Sequence, residues 1–200
     1  AGNGDNVLIS INPGVSFMYE YHVPSDHPAG TFWYHTHRHG STALQVSSGM
    51  AGALIVRGDR VPTLKTHGDI DTLLKPSPGQ RFRERVLVLQ QIQYACRDAG
   101  GAIKKNADGT YRCDAGDVGQ ISSYDQFGPG SWPASGRYTS INGQVLPTFT
   151  NARAGQIERW RVIHGGVRDT INLQFYKLTN STGPVALKTA ADNEAFVRTN

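Results

Sequence analysis

With 200 residues, 23 Gly, 10 Pro, 38% hydrophobic and 18% charged residues, the chain can bury one large core or two small ones, and its composition suits short strands joined by turns, two β domains better than one. The net charge of +4 and sequence pI near 9.2 come from scattered residues, the densest pair being Lys104-Lys105 in a polar loop, which argues against nucleic acid as a partner. No run approaches the roughly 18 apolar residues of a membrane span, and the opening AGNGDNVLIS lacks signal-peptide regions and reads like the middle of a loop, so the chain as given is expected to be soluble.

From Val15 to Val23, Phe17, Tyr19, Tyr21 and Val23 alternate with Ser16, Met18, Glu20 and His22, the period of a half-buried strand. The turn residues of INPG and PSDHPAG bound it, and a partner strand is expected from Thr31 to His37. AGALIVRGD reads as a buried strand closing a first domain near Val61-Pro62, and a linker with Pro62, Pro76, Pro78 and Gly79 follows. RVLVLQQIQY at 85–94 reads as a strand, 97–137 as an extended Gly/Asp/Ser-rich loop region. Strand signals return at 139–144 around the Asn142-Gly143 turn, at 156–164 and at 169–178. Cys96 and Cys113, the only cysteines, lie in or beside the polar insertion. An even count in a sequence with little helical signal points to a disulfide, and through it to an oxidising compartment.

Three of seven histidines fall within GTFWYHTHRHG, at His35, His37 and His39. Alternation puts His35 and His37 on one strand face, roughly 7 Å apart at Cβ, and His39 joins them if the strand continues that far. Two such imidazoles can converge on one metal or reach two adjacent ones, and imidazole suits zinc, copper, iron and nickel. A cupin-type site would want a Glu shortly after the second His, but Arg38, His39, Gly40, Ser41 and Thr42 follow; a blue-copper site wants a nearby Cys, and a zinc finger wants Cys pairs. His22, His27, His67 and His164 read as ordinary polar histidines.

GTFWYHTHRHG followed by QVSSGMAGALIVRGD resembles the second histidine motif of multicopper oxidases, the group that contains laccases, bilirubin oxidases and bacterial copper oxidases. That family has Trp-Tyr or Trp-Phe before a His-x-His, then a Gly-x-x-Gly-x-Leu-Ile-Val strand, which Gly49, Gly52, Leu54, Ile55 and Val56 supply here. INPGVSFMYEYHV is similar to the family's preceding strand, and SINGQVLPTFTNARAGQIERWRVIH to the opening of its second cupredoxin domain.

The resemblance implies an all-β fold of cupredoxin-like Greek-key β-sandwiches or barrels, in two partial or complete domains. Residues 1–62 would be the C-terminal part of a first domain, 63–84 a linker, and 85–200 a second domain with the insertion 97–137. It implies that His35 and His37 each bind one copper of a type-3 pair, with His39 a further candidate, and that Trp33 and Tyr34 pack around them. Type-2 and type-1 coppers would complete the set. Upstream and third-domain segments, or other chains, would have to supply the remaining ligands. The implied reaction is one-electron oxidation of phenols, aromatic amines or metal ions coupled to reduction of dioxygen to water, in a secreted or periplasmic protein. A non-catalytic copper-binding cupredoxin module and a metal-free β-sandwich are the rival readings.

Overall fold

The computed structural model describes residues 6–173. Of these, residues 6–169 belong to one compact unit, and Thr170 onward lies outside it. Within this unit, β1 (Gly30–His35) and β2 (Ala51–Val56) form an antiparallel hairpin in which Gly30 faces Val56 and His35 faces Ala51. The connection between them contains a short helix, α1 (Thr42–Ser47). A second sheet has the order β5-β4-β3-β6, built from β3 (Arg83–Gln90), β4 (Ser140–Ile141), β5 (Gln144–Val145) and β6 (Glu158–His164). β3 and β6 are parallel, from Arg83 opposite Glu158 to Leu89 opposite His164, whereas β4 is antiparallel to both of its neighbours.

Leu87, Leu89 and Ile163 bury themselves between these strands and the segments packed on them, as the alternation in RVLVLQ and ERWRVIH requires. The Asn142-Gly143 turn joins β4 to β5 with both residues at positive φ, 51° and 77°, which suits a tight hairpin. Asn142 also acts as a surrogate strand residue. Its Oδ1 accepts from Val88 N at 2.8 Å and its Nδ2 donates to Val86 O at 2.9 Å.

The insertion 97–137 is held by paired contacts and a covalent staple in place of long strands. Cys96 and Cys113 form the disulfide, and single antiparallel bridges join Ala95 to Gln120, Arg97 to Ile103 and Lys105 to Tyr111. A short helix, α2 (Ser131–Ser135), lies near its end. Buried glutamines connect the insertion to the chain that enters it. Gln93 Nε2 donates to Tyr111 Oη and Ser131 O, and Gln126 Nε2 donates to the carbonyls of Gln93 and Gln120. Polar side chains at these buried positions are retained because each has a partner.

A charged network joins the hairpin to the second sheet. Arg161 of β6, with 2% of its side chain exposed, donates to Glu84 of β3 at 2.9 Å, to Thr31 of β1 at 2.9 Å and to Asp71 at 3.2 Å. Arg57 pairs with Glu84, and Arg159 with Asp71. Residues 63–82 contain a single 3-10 turn, Ile70–Thr72, before β3 takes up Arg83 and Glu84 of the expected linker, and they are pinned through Asp69 to Arg60 and through Asp71 to this network.

Some expectations are corrected. Val15–Val23 is not a strand, because no neighbouring strand pairs with it among the described residues. Its aromatic rings pack on one another, Phe17 against Tyr19 at 4.9 Å and Tyr19 against Tyr21 at 6.3 Å. The strand expected at 31–37 runs Gly30–His35. β2 is half-buried rather than buried, with Leu54 50% exposed. Residues 169–173 carry no strand, and the rest of the strand expected at 169–178 lies outside the described residues. No helix among the described residues is long and apolar enough to cross a membrane.

Candidate metal centre

The local sequence explains how the hairpin presents His35. On one face Trp33 and His35 stand opposite Ala53 and Ala51, whose small side chains leave room for two large rings. On the other face Tyr34 lies across Gly52. A Cβ on Gly52 would come within 2.4 Å of the tyrosine ring, so any larger residue there would displace Tyr34 or the strand pairing. The glycine and the two alanines are thus packing requirements of the aromatic and histidine positions facing them.

After His35 the ladder gives out, Thr36 N reaching Met50 O only at 3.4 Å. The Arg38 carbonyl then accepts from the amides of Ser41 and Thr42 and from the Thr42 hydroxyl. Gly40, at φ 85°, permits the turn that starts α1. His39 N donates to Val7 O at 3.2 Å, tying the early chain to this loop.

The three histidines lie in a row. Ring centroids of His35 and His37 are 5.5 Å apart and those of His37 and His39 are 5.8 Å apart, both pairs edge to face. His39 therefore joins the row through the loop, β1 having already ended. All three are exposed. His35 Nδ1 lies 2.8 Å from Thr36 O. A carbonyl can only accept, so Nδ1 carries the proton and Nε2 holds the lone pair, the arrangement in which an outer hydrogen bond orients a ligating imidazole. Trp33 stacks on His35 at 4.6 Å with 30° between the planes.

This donor chemistry fits copper, since imidazoles two residues apart, one with its Nδ1 engaged by a carbonyl, are suitable ligands. It is incomplete by itself: among the described residues, no three His, Cys, Asp or Glu side chains converge closely enough to hold an ion. Three other histidines have polar contacts elsewhere. His22 pairs with Glu20, His27 Nδ1 meets Pro28 O, and His164 accepts from Gly166 N while donating to Asp169 O. The resemblance implied that Trp33 and Tyr34 pack around the histidines, whereas the direct Trp33 stack on His35 and the Gly52 cradle come only from the structure. Their signal was present in the alternation of large residues on β1 with Ala-Gly-Ala on β2.

A β protein with a histidine-bearing hairpin is the class these features define. Residues 3–60 match the multicopper oxidase family profile, a stretch that contains the whole hairpin and all three histidines. Laccase from Trametes maxima is 38% identical over 61 residues, covering 30% of this chain and 11% of that protein. No solved structure matches the chain. Residues 3–60 are thus similar to a segment of multicopper oxidases, and the strand-dominated fold is consistent with a cupredoxin-like architecture. The matched stretch spans about a tenth of the relative's length.

Proposed function

We propose that the protein belongs to a laccase-like oxidase in which His35 and His37 are ligands to a type-3 copper pair and His39 is an accessory candidate. The observation that carries this reading is the His-x-His at the end of β1, inside the stretch that matches the family. Copper bound there would supply part of the redox chemistry that reduces dioxygen to water, with the electrons taken one at a time from phenols, aromatic amines or metal ions at a type-1 copper elsewhere. Type-2 and type-1 coppers and the remaining ligands would come from segments or chains beyond those described.

The chain's own residues would act as follows. His35 would offer Nε2 while donating Nδ1–H to Thr36 O. His37, edge to face with His35, would offer the second imidazole. The Arg38 carbonyl and α1 would hold the loop between the His-x-His and β2 in shape. On this reading residues 1–62 and 85–200 derive from successive cupredoxin domains, with 63–84 as the segment between them. The disulfide and the family together support a secreted or periplasmic location.

The test is copper content by elemental analysis with intact mass on the same sample, alongside oxygen uptake with a phenolic substrate. The reading expects bound copper that falls when His35→Ala and His37→Ala are introduced, and oxygen uptake when the remaining ligands are present. Copper binding without oxygen uptake in the completed assembly would favour a non-catalytic copper module. Binding unaffected by either substitution would remove these histidines from the site.

A further inference from the structure

The His35 side chain is exposed at the last residue of a strand, a position where an imidazole would ordinarily sample several rotamers. Here three contacts restrict it. Thr36 O receives Nδ1 at 2.8 Å, His37 meets the ring edge at 5.5 Å, and Trp33 covers a ring face at 4.6 Å. Of these, the indole is the one rigid contact made from within the hairpin, because Trp33 is paired in the ladder opposite Ala53, whereas Thr36 and His37 lie beyond the strand. Across from His35 stands Ala51, which is too small to brace the ring.

We propose that Trp33 is a positioning residue for His35: its indole holds the imidazole in the orientation that points Nδ1 at Thr36 O and leaves Nε2 as the available lone pair. This rests on the reading of His35 as a metal ligand. Trp33 touches no metal itself and acts by removing alternative orientations that binding would otherwise have to freeze out. A flat ring is needed, because stacking depends on a π face and not on apolar bulk alone.

The experiment compares Trp33→Phe, which keeps a flat face, with Trp33→Leu, which does not, in the full chain. Trp33→Gln serves as a second unstacked variant suited to this 40% exposed position if the leucine variant fails to fold. Two quantities are read. One is the His35 tautomer from 15N NMR of the metal-free protein at a pH where imidazole is neutral. The other is Cu(II) affinity by titration.

Wild type and Trp33→Phe are expected to show one tautomer, protonated at Nδ1, with affinities within about threefold of each other. The unstacked variants are expected to show mixed tautomers and affinity weakened about tenfold, the scale of one lost ring stack. A single unchanged tautomer in the unstacked variants, with wild-type affinity, overturns the proposal. His35→Ala separates the two ideas. If that variant binds copper as tightly as wild type, the ligand reading fails, while the tautomer measurement still decides whether Trp33 orients the ring.

Discussion

Replacing Arg161 by Met isolates the charged link between the hairpin and the second sheet. The side chain is 2% exposed and makes charge-assisted hydrogen bonds to Glu84 and Asp71 and a further bond to Thr31. Methionine fills similar volume but leaves both carboxylates with less compensation. Removing one member of a buried ion pair costs about 3–5 kcal/mol. The loss here should fall toward the lower end, about 3 kcal/mol, because Asp71 keeps Arg159 and the Gly58 amide and Glu84 keeps Arg57. With a urea m-value of about 2 kcal/mol/M, the unfolding midpoint should drop by about 1.5 M.

Arg112→Met is the control. Arg112 and its partner Asp114 are each 49% exposed, so about 0.5 kcal/mol or less is expected. Adding Asp71→Asn and Glu84→Gln to Arg161→Met should recover part of the loss, since the stranded charges are then gone. A loss below about 1 kcal/mol for Arg161→Met, indistinguishable from the control, would refute the assignment of this network as the clamp between the sheets. The network also sets a pH dependence. Burial pushes the Asp71 and Glu84 carboxyls up, but their hydrogen bonds and the facing arginines outweigh it and hold both below their ordinary values. Stability from such groups is present above the unfolded carboxylate range and lost as pH falls through the folded value. Arg161→Met should flatten that slope.

Other expectations are equally direct. Glu158, bonded to Arg85 and to the Trp160 indole, has its carboxyl lowered from 4.5 to about 2. Its contribution should therefore be full above pH 4.5 and disappear as pH falls toward about 2. Glu158→Gln should remove that part of the acid-unfolding profile, and an unchanged profile would count against the Arg85 pairing. Asn142→Ala strips two side-chain bonds from the edge of β3 and should cost about 1–3 kcal/mol in urea unfolding. Asn142→Gly, which keeps the turn's backbone freedom, should lose nearly as much if those bonds matter and little if only the positive φ does. Replacing both Cys96 and Cys113, 17 residues apart, by Ser should cost about 3 kcal/mol. Limited proteolysis should then cut first within 97–137.

Much of the local architecture was legible beforehand, because it depends on neighbours in sequence. Alternation in RVLVLQ and ERWRVIH placed β3 and β6, Asn142-Gly143 marked its hairpin, and the paired cysteines in a polar excursion marked the staple. His35 and His37 stood out by spacing alone, and the Trp-Tyr before them carried the resemblance to the family that residues 3–60 match. Partners distant in sequence were not legible. Val15–Val23 has the strand period, yet a strand requires a hydrogen-bonding neighbour, which a periodicity cannot supply. Thr42–Ser47 forms a helix of a single turn and a half, too short for helical periodicity to declare itself. Glu84 looked like a charge in the linker and Arg161 like an ordinary charge within a strand. Only the parallel pairing of β3 with β6, and the approach of Thr31 and Asp71, turned them into a buried network, since a charge's worth depends on what else is removed from water around it.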